Sequence, residues 1–358
     1  MVRPLPADAF SPEGETSSPT ATSELTEALF DIAPDGGSED GAANPWDDEP
    51  ETRTATVGDA QHAHRLDKML VFMAPEFSRN HLQSLIERGH VSIAGVAQTH
   101  SSRKVLVGQR IDVQLMPTPE SLAFRPEPMT LKVLFEDAHL MVVDKPVGLV
   151  VHPAAGHWSG TLLNGLLAHH KAAGTLPRAG IVHRLDKDTS GLMVVGKTIQ
   201  AITALVRSIA AREVRREYLA LAHGTVGEQP FSVDAPLGRD PKSRVRMAVV
   251  ATGKSARTDV LRVGLAMIEN TVSAVVCKLH TGRTHQIRVH MASTGHPLLA
   301  DTLYGGRPEL GLTRQALHAH RLSFEHPATG ERLHFEAAPP ADFKAAWSQV
   351  IDTPSASR

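Results

Sequence analysis

Four prolines, Pro117, Pro119, Pro126 and Pro128, fall within residues 116–129. Proline fixes φ and has no backbone N–H to donate, so this stretch cannot run through one helix or strand. It reads as a linker, and it divides the chain into a small N-terminal part and a larger C-terminal one. The 358 residues suit about two domains.

Charge divides the chain again. Residues 1–60 hold 14 acidic side chains and two basic ones, Arg3 and Arg53, a net of −12; the rest holds 35 basic and 25 acidic, a net of +10. Residues 1–60 are rich in Pro, Ser, Thr and acids, with helical periodicity only around Leu25–Phe30. Such a segment is expected to be a disordered tail, because it buries too little apolar surface to offset its ordering entropy. It reads as a solvating tail, with an electrostatic mimic of RNA as the other reading. The basic body favours a polyanionic partner. A single cysteine, Cys277, cannot form an internal disulfide, which favours a reducing, cytoplasmic setting. Cys277 lies beside Val275 and Val276 and reads as a buried small hydrophobe. No apolar run reaches the length of a membrane span, and the N-terminus lacks the pattern of a secretory signal.

Residues 61–115 read as a small α/β unit. Leu66, Leu70 and Val71 lie at helical spacing. A second helix has Ser78 as its N-cap, Leu82, Leu85 and Ile86 on one face, and Gly89 at its end. Val91–Ile93 and Ile111–Leu115 read as strands. Residues 130–346 read as one larger α+β domain, with strands at Leu140–Val143, Leu192–Val195 and Val272–Leu279 and helical spacing over Thr161–Ala173 and Ile199–Ala211. A last helix is expected near Asp342–Ile351, and residues 347–358 are expected to form a C-terminal tail.

The pentapeptide HRLDK occurs twice, at His64–Lys68 and His183–Lys187. In the first copy Asp67 reads as a first-turn acid favoured by the helix dipole. The second copy lies in GIVHRLDKDTSGLMVVGKT, residues 180–198. There Asp186 falls in a loop leading onto a buried strand, flanked by His183, Arg184 and Lys187. A carboxylate among cations is expected to be held ionised, as a nucleophile requires. A structural Asp in an ion-paired loop is the plainer alternative.

Asp186 within HRLDKDTSGLMVVGKT resembles the signature of the RluA-type RNA pseudouridine synthases. Further segments resemble that family in the same order: LMVVDKPVGLVVHP (140–153), REVRREYLALAHG (212–224), GRDPKSRVRMAV (238–249), LHTGRTHQIRVHMASTGHPLLADTLYG (279–305) and RQALHAHRLSFEHP (314–327). The stretch RLDKMLVFMAPEFSRNHLQSLIERGHVSIAGV (65–96) resembles an S4 RNA-binding domain. An S4 domain before an RluA-type domain is the arrangement of the large-subunit (23S) ribosomal RNA synthases, the D subtype among them. The resemblance implies a mixed, mostly antiparallel central sheet and a cofactor-free isomerase that turns uridine into pseudouridine within RNA. A monomer is expected. One departure is visible: Ala300 precedes Asp301 where the family leads one to expect Gly, which strains the backbone if φ there is positive.

The resemblance also implies roles. Asp186 supplies the nucleophile, attacking uracil C6 or ribose C1′, or first taking a proton from C2′. Tyr218 stacks on the flipped uracil or takes the C5 proton, and a core tyrosine is the alternative. Arg283 pairs with the catalytic carboxylate, or else contacts an RNA phosphate. Leu279 is an apolar wall beside the base. Arg184, Arg239, Lys242, Arg244 and Arg246 read as substrate contacts, and Arg207, Arg212, Arg215 and Arg216 as a second basic cluster. In the small unit Arg65, Arg79, Arg88, Arg103 and Lys104 form a basic face suited to structured RNA. His280, His285 and His290 recur every five residues, off one helix face, and with no HExxH or cysteine pair no metal is expected. Two rivals stay open: a catalytically silent RNA-binding or ribosome-assembly factor, and a hydrolase using Asp and His.

Overall fold

The computed structural model describes residues 51–116, 123–154, 156–243 and 245–352. The helical piece at Leu25–Phe30, residues 117–122 of the linker, Arg244 and residues 353–358 lie outside them. The chain divides into a unit ending at Arg125 and one beginning at Pro126. Among the described residues no helix is long and apolar enough to cross a membrane.

The small unit carries strands β1 (Glu51–Thr56), β2 (Val91–Ile93), β3 (Val96–Ala97) and β4 (Arg110–Leu115), in sheet order β1-β4-β2-β3. Two helices, α1 (Leu66–Met73) and α2 (Arg79–Glu87), cover the sheet through Leu66, Leu70, Leu82 and Ile86. The Ser78 hydroxyl caps α2, accepting the His81 N–H at 3.3 Å. The order begins earlier than the expected tail allows, because β1 pairs with β4 along its whole length. A chain with alternating Thr side chains and a ready partner edge has somewhere to place its backbone hydrogen bonds. Asp67 is in the first turn of α1, as expected. It is fully buried and accepts hydrogen bonds from Arg65, Arg79 and Gln83 at 2.8–3.1 Å. It is thus both a first-turn acid and a buried polar centre of the unit.

The larger unit is a mixed, mostly antiparallel sheet. Its strands are β5 (Val133–Glu136), β6 (Leu140–Lys145), β7 (Ser190–Gly196), β8 (Arg215–His223), β9 (Phe231–Asp234), β12 (Arg257–Met267), β13 (Thr271–Leu279), β14 (Leu317–Glu325) and β15 (Arg332–Glu336). Their order is β5-β6-β7-β14-β8-β13-β12-β9, with β15 on β14. Only β7 and β14 run parallel among these pairs. A short hairpin, β10 (Leu237–Arg239) and β11 (Met247–Val249), stands apart. Strands β6 and β7 have apolar runs, Leu140–Val143 and Leu192–Val195, because both faces are covered there. Met141, Val143, Met193 and Val195 enter one core, and Leu140, Val142, Leu192 and Val194 the other. Where β7 meets β14, Gly191 has φ +113°, and a Cβ there would lie 2.1 Å from the Ala319 carbonyl oxygen.

The helices are α3 (Leu162–His169), α4 (Ile199–Ala210), α5 (Gln286–Ser293) and α6 (Ala341–Ile351). Helix α3 is shorter than the spacing suggested; a 3-10 turn, Lys171–Thr175, takes over after it. Helix α6 buries Trp347 and Val350 and carries the unit past residue 346.

Candidate active site

Asp186 sits in the loop that leads into β7, and buried groups hold that loop from several sides. Lys145 ends β6, is 1% exposed, and donates to the carbonyls of Pro146, Leu149 and Lys187 at 2.9, 2.9 and 3.0 Å. Burial pushes its ammonium down to about 8, opposed by Asp188 and Asp186. His183 accepts the Val194 N–H at 3.1 Å. Arg314, itself held by Asp342, donates to the Asp188 carbonyl at 2.9 Å. The residues on both sides of Asp186 are therefore fixed, which is what a positioned nucleophile requires.

The carboxylate itself meets Arg288. Nη1 of Arg288 donates to Asp186 Oδ2 at 2.9 Å. Nε and Nη2 of the same guanidinium form a fork on Asp301, at 2.8 and 2.9 Å. Burial opposes the Arg288 charge, but the bonds to Asp301 and the field of Asp186 raise the guanidinium above its ordinary value. The expected partner of Asp186 was Arg283, and this is corrected. Arg283 lies in the turn before α5 and donates to the Ser255 carbonyl at 3.2 Å. Arg288 lies within α5, whose first turn turns its buried side chain toward the loop of Asp186. Both arginines are in TGRTHQIR, so type and neighbourhood were legible. Which one the helix start would turn inward was not.

His285 adds a second group. Its Nδ1 lies 2.7 Å from Tyr304 Oη, which accepts the Met247 N–H at 3.0 Å. The other ring nitrogen, Nε2, lies 3.8 Å from Asp186 Oδ1. Burial holds His285 below the ordinary histidine value despite Asp186.

These groups line a cleft of about 880 Å³. Tyr218, Leu279 and Leu317 are its buried apolar wall. Arg184, Arg239, Arg246 and Arg283 line its more open part. Of the expected substrate contacts, Lys242 is exposed and does not line the cleft, and Arg244 lies outside the described residues. Arg65 and Arg79 are in the small unit, tied to Asp67. Within the second basic cluster Arg215 is exposed but Arg216 is buried. Burial raises the Tyr218 hydroxyl above its ordinary value, with Arg216 opposing and Asp186 adding. Cys277, opposite Tyr218 on β13, is buried and its thiol is pushed up to about 12. Arg288, Asp301, His285 and Lys145 had no assigned role in the sequence reading. The departure at Ala300 was the one pointer to the turn that carries Asp301: φ there is +57°.

One cleft thus brings together a fixed carboxylate, a guanidinium paired with it, a buried apolar wall and several arginines. Residues 139–293 match the family described as RNA pseudouridylate synthase, a span that includes Asp186, Tyr218, Leu279 and Arg288. The chain is 49% identical over 291 residues to the ribosomal large subunit pseudouridine synthase D of Neisseria meningitidis serogroup B, covering 78% of this chain and 76% of that protein. It is 46% identical over 311 residues to the protein of the same name from Nitrosomonas europaea, covering 84% and 89%. Among solved structures, the human RNA pseudouridylate synthase domain containing 1 is 26% identical with a TM-score of 0.48, over 62% of this chain and 90% of that one. The chain belongs to the RluA-type family of RNA pseudouridine synthases, isomerases that convert uridine to pseudouridine within RNA.

Proposed function

We propose that this isomerase modifies large-subunit ribosomal RNA, with Asp186 as nucleophile on a uridine turned out of its stack. The names of the two bacterial relatives support the substrate class. The observation that carries the site reading is the 2.9 Å bond from Arg288 to Asp186, deep in a cleft with an apolar wall and arginines at its mouth.

In the reaction the N1–C1′ bond breaks, the ring turns, and C5 bonds to C1′. C5 loses a proton and N1 gains one, so atoms balance and nothing leaves. Helical RNA hides the reacting atoms, so the base must be extruded to reach Asp186. Leu279 and Tyr218 offer the freed ring an apolar surface and an aromatic face in place of its lost stacking. Arg288 takes the place assigned to Arg283, holding the carboxylate in position. Arg283, Arg239, Arg246 and Arg184 then suit phosphates flanking the flipped nucleotide. The small unit, with exposed Arg88, Arg103 and Lys104, suits a structured region of the RNA.

The test uses large-subunit RNA labelled with tritium at uridine C5. Wild type is expected to release the label into water, and Asp186→Asn to release none while still binding the RNA. Release by the Asn variant at the wild-type rate would remove Asp186 from the chemistry. Free uracil in solution would point to a hydrolase instead.

A further inference from the structure

Two buried hydrogen-bond donors at the bottom of the cleft lack acceptors. Arg216 is 4% exposed, yet its Nε and Nη2 have no hydrogen-bond partner among the described residues. It stands two residues before Tyr218 on β8, so both side chains leave the same face of the sheet. Leu279 is directly opposite it on β13. Gly282 makes room: a Cβ there would lie 2.9 Å from Arg216 Nη1. The second donor is on His183. Its Nε2 accepts the Val194 N–H, so the ring hydrogen is on Nδ1, and Nδ1 is buried without a partner among the described residues. Burial, and then the charge of Arg216, pull His183 down to about 3, so it is neutral at working pH. Both residues line the cleft that holds Asp186.

A guanidinium removed from water with donors left unpaired is strongly unfavourable, and among the described residues nothing accepts from Nε or Nη2 of Arg216. Groups in that state are satisfied by what binds. We propose that Arg216, with the Nδ1–H of His183 beside it, donates hydrogen bonds to the carbonyl oxygens of the target uracil and takes up the negative charge the ring gains during the reaction. The inference rests on the pseudouridylation reading above and names the group that would recognise the base. It does not depend on the route. If C1′ departs first, the bonding pair stays on N1 and spreads to O2 and O4. If a nucleophile adds at C6, the C5–C6 π pair moves onto O4. Either way a fixed cation in a dry site meets the charge where it develops. A phosphate is the less suitable occupant, because Arg216 lies among Tyr218, Leu279 and Leu317, whereas the exposed arginines are at the open part of the cleft.

The experiment compares wild type with Arg216→Met and Arg216→Lys. Single-turnover tritium release from C5 is measured on a ribosomal RNA fragment that wild type modifies. Binding is measured on the same fragment and on one with an abasic nucleotide at the target. Arg216→Met is expected to slow release about 10²–10³-fold, the size seen when an oxyanion donor is removed. It should weaken binding of the uridine fragment but not of the abasic one. Its melting temperature should not fall, because an unpaired buried charge has been removed. Arg216→Lys, which keeps the charge but not the fork, should fall between. Wild-type release by Arg216→Met, or equal loss of affinity for both fragments, overturns the proposal; the second result assigns Arg216 to a phosphate. A drop in rate matched by a drop in melting temperature in both variants assigns it to the fold. No release by wild type itself defeats the underlying reading, and the inference with it.

Discussion

Arg288 serves two carboxylates with one guanidinium, and its value to the protein differs for each. Toward Asp301, which is almost fully buried, the fork offsets a desolvation cost. Toward Asp186 a single bond sets the position of the carboxylate. Arg288→Met should therefore act twice. It should reduce turnover by about 10²-fold or more through loss of positioning, and destabilise the fold by about 3–5 kcal/mol, since Asp301 is left buried and unpaired. Urea unfolding and single-turnover assays separate the two effects. Arg283→Met, on a half-exposed turn, should leave stability within about 0.5 kcal/mol and mainly raise KM. Equal losses from both variants would overturn the assignment of the pair to Arg288. Tyr218 gives a second test at this scale. Burial raises its hydroxyl above the ordinary tyrosine value, so the phenolate fraction grows tenfold per pH unit through the neutral and alkaline range. If the phenolate removes the C5 proton, single-turnover release should rise with unit slope from about pH 7 to 9. Tyr218→Phe should abolish the rise and keep RNA binding. A flat wild-type profile would leave Tyr218 as a stacking surface only.

At the scale of the element, the turn that brings Asp301 beneath Arg288 is the tightest part of the site. Gly306 passes so close to the Leu298 carbonyl that no Cβ fits, and its N–H closes the turn on the Asp301 carbonyl at 2.8 Å. Ala300 pays for this with φ +57°, a conformation that disfavours side chains by roughly 1–2 kcal/mol. Ala300→Gly relieves the strain but gives up a buried methyl and adds chain entropy, so stability should change by less than about 1 kcal/mol. Ala300→Val, branched at Cβ, should lose at least about 2 kcal/mol. A Val variant as stable as wild type would mean that the position is unstrained. The departure was readable in the sequence because a residue type stood where its backbone is disfavoured. The strands of both cores were readable too, since apolar runs such as Leu192–Val195 have few other uses. What was not readable depends on distance in the chain. Nothing near Arg283 or Arg288 says which faces Asp186, about a hundred residues away, and nothing near Arg216 says that β13 and β14 flank it. The strand at Glu51–Thr56 was hidden for the same reason: its partner β4 lies far along the sequence.

At the scale of the molecule, the larger unit keeps neutral histidines inside. His318 uses both ring nitrogens, meeting the Ser190 hydroxyl at 2.9 Å and the Ala337 carbonyl at 3.0 Å. The carbonyl can only accept, so Nε2 carries a hydrogen. Burial pulls His318 down to about 4 and His183 to about 3; burial moves His290 and His320 the same way. In the unfolded chain these rings protonate near pH 6.5. Between there and pH 4 the unfolded state binds more protons than the folded one, so stability rises with pH across that window and is lost as pH falls through it. His183 and His318 alone account for a change on the order of 5 kcal/mol, a large share of a typical domain's stability. The protein should therefore lose much of its stability between pH 6 and 4, before the depressed carboxyls such as Asp137 and Asp259 take up protons. Urea midpoints measured from pH 7.5 to 4.5 would show the slope. His318→Gln should flatten it by about one proton in the pH 4–6 range, and a midpoint constant over that range in wild type would mean that the buried rings do not govern acid stability.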